Sequence, residues 1–110
     1  MSGWYELSNS TDGQFRFVLK AGNGEIILTS ELYTTKAAAQ NGIASVQANS
    51  AIDARYENKV AGNGKHFFNL KAANHQVIGT SQMYAATQSR DVGAASVKTN
   101  GITETIKDCA

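Results

Sequence analysis

The side chains able to do chemistry in this 110-residue chain are few and scattered. Its only histidines are His66 and His75, and its only cysteine, Cys109, is next to last. Metal sites usually show close spacings such as HxxH, HExxH or CxxC, and none occurs here. Nucleophilic catalysis needs a nucleophile, a base and an orienting group held together. A cysteine at a fraying terminus is a poor place for that, and no serine lies in a G-x-S-x-G elbow. The stretch AGNG appears at 21–24 and 61–64, but neither copy leads into Lys-Ser/Thr or a helix. Both read as hairpin turns rather than phosphate loops. No catalytic residue, metal ligand or cofactor is assigned.

A second pattern is stronger. Shifting the chain by 51 residues aligns Tyr5–Ser50 with Tyr56–Gly101 without a gap, and 17 of the 46 pairs are identical. Such a match marks an internal duplication, repeat 1 covering about 3–51 and repeat 2 about 54–106. Glu25 and Glu31 align with Gln76 and Gln82, so no carboxylate pair is kept in both copies. A shared polar set is kept: Lys20/Lys71, Thr29/Thr80, Ser30/Ser81 and Tyr33/Tyr84. These residues, foremost Lys20, Lys71, Thr29, Thr80, Tyr33 and Tyr84, are the candidate binding surface for a peptide, an anion or another protein. The blander alternative is that Lys covers apolar surface with its stem while Thr favours strands.

The elements that would position this set follow from turn chemistry. Asp12-Gly13, Asn63-Gly64 and Asn23-Gly24 are hairpin signals, and Asn74-His75 is a weaker one because His accepts positive φ less readily. Between them lie β-rich runs, so each repeat reads as a three-stranded meander. A two-residue hairpin at Asn23-Gly24 would set Leu19 opposite Leu28 and Ala21 opposite Ile26. The core face would then hold Phe17, Leu19, Ala21, Ile26 and Leu28, with Phe68, Leu70, Ala72, Val77 and Gly79 in the second copy. Arg16, Val18, Lys20, Ile27 and Thr29 would take the other face.

After each meander the period lengthens. Ala39, Gly42, Ile43 and Val46 fall on one helical stripe, as do Gly93, Ala94 and Val97. Thr34 or Thr35 is the expected N-cap, Asn49 or Ser50 the expected end, and Asn100-Gly101 the second stop. Glycine inside a helix costs about 1 kcal/mol relative to alanine, so Gly42 and Gly93 point to close packing. A short final strand is expected around ITETI, 102–106. The fold class is α+β: two tandem β3-α-β repeats forming one antiparallel sheet with two helices on one face. A repeat of about 50 residues buries too little to stand alone, so the chain 1–110 is expected to be a single domain and an internal pseudo-dimer.

Bulk composition narrows function further. Hydrophobic residues make up 42% and charged ones 17%, so the chain folds. A net charge of +1 argues against a dedicated nucleic-acid binder. There is no secretion signal or bilayer-length apolar run, and a lone cysteine suggests no oxidising compartment, so a cytoplasmic protein is expected, and a monomer because the second repeat supplies the dimer partner.

The segments FRFVLKAGNGEIILTSELY, NGIASV, FNLKAANHQVIGTSQMY and AASVKTNG resemble the repeats of the YegP-like family of small bacterial proteins of unknown function. The resemblance spans almost the whole chain. It implies a single sheet with exchanged C-terminal strands and packed helices, and it supplies no catalytic residues. His75 and Gly79 depart from the pattern of the first copy. The expected function is a non-enzymatic binding or protein-interaction module. The alternative is weak nucleic-acid binding through the sheet, with aromatics stacking bases and Lys59, Lys65 and Lys71 along the backbone.

Overall fold

The computed structural model describes residues 3–110. Its four hairpin turns close in one way. The N–H groups of Ser10, Ala21, Ala61 and Ala72 donate to the carbonyls of Gln14, Glu25, Lys65 and Gln76. Gly13, Gly24, Gly64 and His75 take positive φ of 82°, 85°, 83° and 69°. Asp12, Asn23, Asn63 and Asn74 each accept from the N–H two residues on. These are three-residue loops, a turn followed by a left-handed residue, and not the two-residue loops expected at Asn23-Gly24. His75 holds the conformation that glycine holds elsewhere, at the cost of a strained backbone.

These turns join β1 (Trp4–Asn9), β2 (Phe15–Lys20) and β3 (Ile26–Thr29), then β4 (Tyr56–Val60), β5 (His66–Lys71) and β6 (Val77–Thr80). Helix α1 (Lys36–Asn49) and a 3₁₀ turn at Asp53–Arg55 link the two meanders, and α2 (Thr87–Asn100) leads to β7 (Ile106–Asp108). The strands make one sheet ordered β4-β5-β6-β3-β2-β1-β7. Every pairing is antiparallel except β7 on β1, so the sheet is mixed. The last strand starts later than ITETI suggests, because a turn after α2 (Thr103 N–H to Asn100 carbonyl, 3.1 Å) must first bring the chain back towards β1. Entered from a helix that crosses the sheet, it can run parallel to β1.

The longer loop has a consequence for register. Ala21 bonds with Glu25, so Lys20 rather than Ala21 faces Ile26. A bulge then restores Leu19 opposite Leu28. The same shift in repeat 2 sets Lys71 opposite Val77 and Leu70 opposite Gly79. Ile26 is therefore exposed and Val77 only half-buried, while Ile27 and Ile78 are buried in their place. A bulge presents two consecutive residues against one partner, which is why Ile27 and Leu28 are both buried.

The two meanders meet where β3 pairs with β6 at Thr29 opposite Thr80, which are repeat-equivalent residues. The pseudo-two-fold axis passes between them. Beside it, a Cβ built on Gly79 would lie 2.6 Å from Leu28 Cδ2. Leu28 and Gly79 are also repeat-equivalent, so one leucine fills space that cannot hold two. The aliphatic and aromatic core runs through both repeats, from Tyr5, Phe17 and Leu19 to Phe68, Leu70 and Val97.

Both helices cover the same side of the sheet, and each crosses the junction: α1 packs on β2 and β6, α2 on β5 and β3. The predicted stripe Ala39, Gly42, Ile43 and Val46 is buried, and so are Gly93 and Val97. Thr35 caps α1 through Ala38 N–H to Oγ1 at 3.1 Å, whereas Ala86 stands at the same place on α2 with no side-chain cap. Gly101 ends α2 at φ −65°, so it is not there for a left-handed turn. Its Cβ would strike Ser50, the equivalent residue at the end of α1, and close approach of the two helix ends is the reason for glycine. Tyr5 Oη donates to the Gly101 carbonyl and Tyr56 Oη to the Ser50 carbonyl, both at 2.6 Å.

Three stability outcomes follow, each read by thermal melting. Gly79→Leu alone will clash and Leu28→Gly alone will leave a cavity costing about 2–5 kcal/mol. The double substitution, which moves the leucine across the axis, will recover most of that loss; a simply additive loss would show that the site is not two-fold. Ala86→Thr will stabilise by roughly 1 kcal/mol, since the backbone at 86 (φ −136°, ψ 156°) already matches that of Thr35 (φ −130°, ψ 153°). Gly42→Ala and Gly93→Ala will each destabilise by about 1–3 kcal/mol despite better helix propensity, because the new methyl would meet the hydroxyl ends of Tyr33 and Tyr84.

Candidate functional site

Alternation from the buried residues assigns the side of the sheet that carries no helix. Trp4, Glu6 and Ser8 of β1 share that face with Arg16, Val18 and Lys20 of β2. Across the junction come Thr29 and Thr80, then Asn69, Phe67 and Lys71, and Glu57 and Lys59 at the far edge. Lys107 of β7 lies opposite Glu6 and completes the near edge.

The candidate residues are divided by this geometry. Lys20, Lys71, Thr29 and Thr80 do share the open face, with the threonines at its centre. Tyr33 and Tyr84 are on the helix side, where each hydroxyl abuts a helix glycine, Gly42 or Gly93. The Tyr33 ring stacks on Phe17 with centroids 6.2 Å apart. A joint patch of two lysines and two tyrosines is therefore not formed. The β3 and β6 strands end at Thr29 and Thr80, and the four further residues to each tyrosine carry the chain around to the helices.

Each lysine has a local reason to be kept. Lys20 Nζ is 3.1 Å from Glu6, and Lys71 Nζ is 3.1 Å from Glu57, the equivalent carboxylate. Glu6 also accepts from the Trp4 indole at 2.8 Å. That hydrogen bond, followed by the one from Lys20, holds its carboxyl below the ordinary range, and Lys71 does the same for Glu57. Both ion pairs thus persist into moderately acid solution and are lost only as pH falls through these lowered pKa values. Lys107 sits over the Trp4 ring, 4.3 Å from its centroid. Ser30 and Ser81 are structural too: each hydroxyl accepts from the N–H of Phe17 or Phe68 and donates to the next residue's carbonyl.

On the helix side, two related clefts open between one repeat's hairpin and the other repeat's meander-to-helix connection. One, of about 430 Å³, is bordered by Glu25, Ile27, Gln82, Tyr84 and Val92; the other, of about 590 Å³, by Glu31, Tyr33, Gln76 and Ile78. Gln82 Nε2 donates to Glu25 Oε1 at 3.0 Å. Each cleft thus combines a glutamate from repeat 1 with a glutamine from repeat 2, which avoids two facing carboxylates. Burial, then the nearby Glu31, raises the Tyr33 hydroxyl pKa. His66 lies on β5 and His75 on a turn. Among the described residues no three potential metal ligands come together, and no helix is long and apolar enough to cross a membrane.

Sequence reasoning missed the charge distribution of the open face. Among the described residues, Arg16, Lys20, Lys59, Lys71 and Lys107 there oppose only Glu6 and Glu57, although the chain as a whole is nearly neutral. Strand alternation around Glu6 and Glu57 was the available signal.

Comparison with known proteins gives a consistent picture. A UPF0339 protein of Acinetobacter baylyi is 74% identical, the match covering 98% of this chain and 97% of that one. The UPF0339 protein YegP of Escherichia coli K12 is 68% identical over 98% of both chains. The solution NMR structure of E. coli YegP, described as a protein of unknown function, superposes with a TM-score of 0.93 at 68% identity, covering 98% of this chain and 93% of that one. A UPF0339 protein structure from Shewanella oneidensis gives 0.92 at 69% identity, with coverage of 98% and 92%. The family model described as a domain of unknown function, DUF1508, matches twice, at residues 10–57 and 61–108. With two copies of that domain and relatives matched almost end to end, the chain belongs to the DUF1508 (UPF0339, YegP) family.

Proposed function

We propose that this chain is a non-enzymatic binding module of the cytoplasm, acting as a monomer, whose helix-free sheet face engages a protein partner. The observation that carries this reading is the excess of cations on that face, five against two carboxylates, around a flat centre of Thr29, Thr80, Val18 and Asn69. A fixed sheet presents these groups at little further entropic cost, and complementary charge speeds and orients encounter. The helix side is less suited, since its tyrosines are engaged in packing around Gly42 and Gly93.

The same cations, with Phe67 among them, favour a second reading, weak binding of single-stranded nucleic acid. Base stacking needs bare aromatic faces. Trp4 is covered on one face by Lys107, which leaves Phe67 and makes this the lesser reading.

The test is capture of native partners from lysate by the parent and by a variant with Arg16→Glu and Lys59→Ser, two exposed positions whose change cancels the cationic excess of the face. The variant will melt like the parent and lose the captured proteins. Equal capture by both would refute an open-face interface. In gel-shift titration the parent will give no salt-sensitive shift of single-stranded DNA or RNA; a clear one would favour the second reading.

A further inference from the structure

The two long edges of the sheet are repeat-equivalent but unequal. Along β1, the parallel strand β7 sets Tyr5, Glu6 and Leu7 opposite Ile106, Lys107 and Asp108. Tyr5 N–H donates to the Thr105 carbonyl at 3.0 Å, and the Leu7 carbonyl accepts from Cys109 N–H at 2.7 Å. Strand β4, the counterpart of β1, ends the sheet, and among the described residues nothing lies beyond it. Connectivity explains the difference. After α2 the chain is free to run along β1. After α1 it must pass through Asp53–Arg55 into β4 itself, so the link between the repeats supplies no strand to lie alongside. The backbone groups of Asn58 and Val60, which correspond to Leu7 and Asn9, therefore lack the strand that pseudo-symmetry would supply. An open edge of this kind is a template for an added strand.

Charge indicates which strand. From Arg55 to Lys71 the β4–β5 hairpin carries Arg55, Lys59, Lys65 and Lys71 against Glu57 alone. The equivalent stretch of repeat 1 balances Arg16 and Lys20 with Glu6 and Asp12. On the closed edge β7 brings Lys107 to the vicinity of Glu6. On the open edge β4 has its own cation, Lys59, 3.5 Å from Glu57, where β1 has Ser8. An incoming strand need bring no positive charge there and gains by bringing negative charge. Two copies meeting edge to edge would oppose two cationic hairpins, which disfavours self-pairing. We propose that the outer edge of β4 binds an extended acidic segment of a partner protein, running parallel to β4 as β7 runs along β1. This rests on the binding-module reading and names its partner class.

The test is an NMR titration of the isotope-labelled full chain with a short capped peptide of alternating glutamate and valine, and with one of alternating lysine and valine. The acidic peptide alone will shift the Asn58 and Val60 amides and protect them from exchange, and added salt will weaken it several-fold. Asn58→Pro, which removes an edge N–H where proline is tolerated, will abolish these effects. Lys59→Glu with Lys65→Glu will weaken them several-fold, and keeps the test available if the proline variant melts early. No binding, equal binding of the lysine peptide, or unchanged binding by a folded Asn58→Pro variant overturns the proposal. So does protection of Asn58 that grows with protein concentration and no peptide, which would mean a second copy on the edge. Shifts confined to Val18, Thr29 and Thr80 would overturn the edge while leaving the open-face reading in place.

Discussion

The meeting of β3 with β6 is the contact on which the rest depends. Only Thr29 and Thr80 pair directly there, yet both helices cross the line and one core extends beneath it. So short a ladder would be weak alone, because two isolated strands are marginal in water. Leu28 entering the space over Gly79 binds the halves through packing instead. Perfect symmetry would be unfavourable at that point: two leucines would collide and two glycines would leave a void.

Much of this was legible in the sequence. The 51-residue step revealed two meanders and two helices, and glycine at 42 and 93 on an otherwise apolar stripe pointed to a close neighbour. The neighbours, Tyr33 and Tyr84, were themselves repeat-conserved, but the sequence could not place them over those glycines. Register failed for a local reason. Asx-Gly suits two-residue and three-residue loops alike, and the choice moved Ile26 out to solvent and brought Ile27 into the core. The bulge that reconciles loop and core has no residue signature of its own in EIILTS.

The candidate site was partly legible for the same reason. Lys20 and Thr29 lie two and three strands from the β7 edge, and alternation placed them correctly on one face. Tyr33 and Tyr84 lie beyond the ends of β3 and β6, in isolated bridges to Phe15 and His66 that are one residue out of step with the strands, so alternation does not carry through to them. Their identity in both repeats reflects packing against the helix glycines, with Tyr33 also stacked on Phe17, rather than membership of a surface patch. The lysines likewise persist beside Glu6 and Glu57. Conservation between repeats here mostly records the architecture. Differences between repeats, such as Ser8 against Lys59 or Glu25 against Gln76, are where individual roles can arise.

The pairing of β7 with β1 joins residues from opposite ends of the chain, and Gly3 N–H donates to Asn100 Oδ1 at 2.8 Å beside it. During synthesis β1 must therefore wait for residues about 100 positions further along before its outer hydrogen bonds can close. Contacts of such long sequence separation form slowly. Until Ile106 emerges, the nascent protein carries a bare strand at each flank, and the arrival of β7, rather than the folding of either meander, sets the earliest moment at which the first of them can be covered.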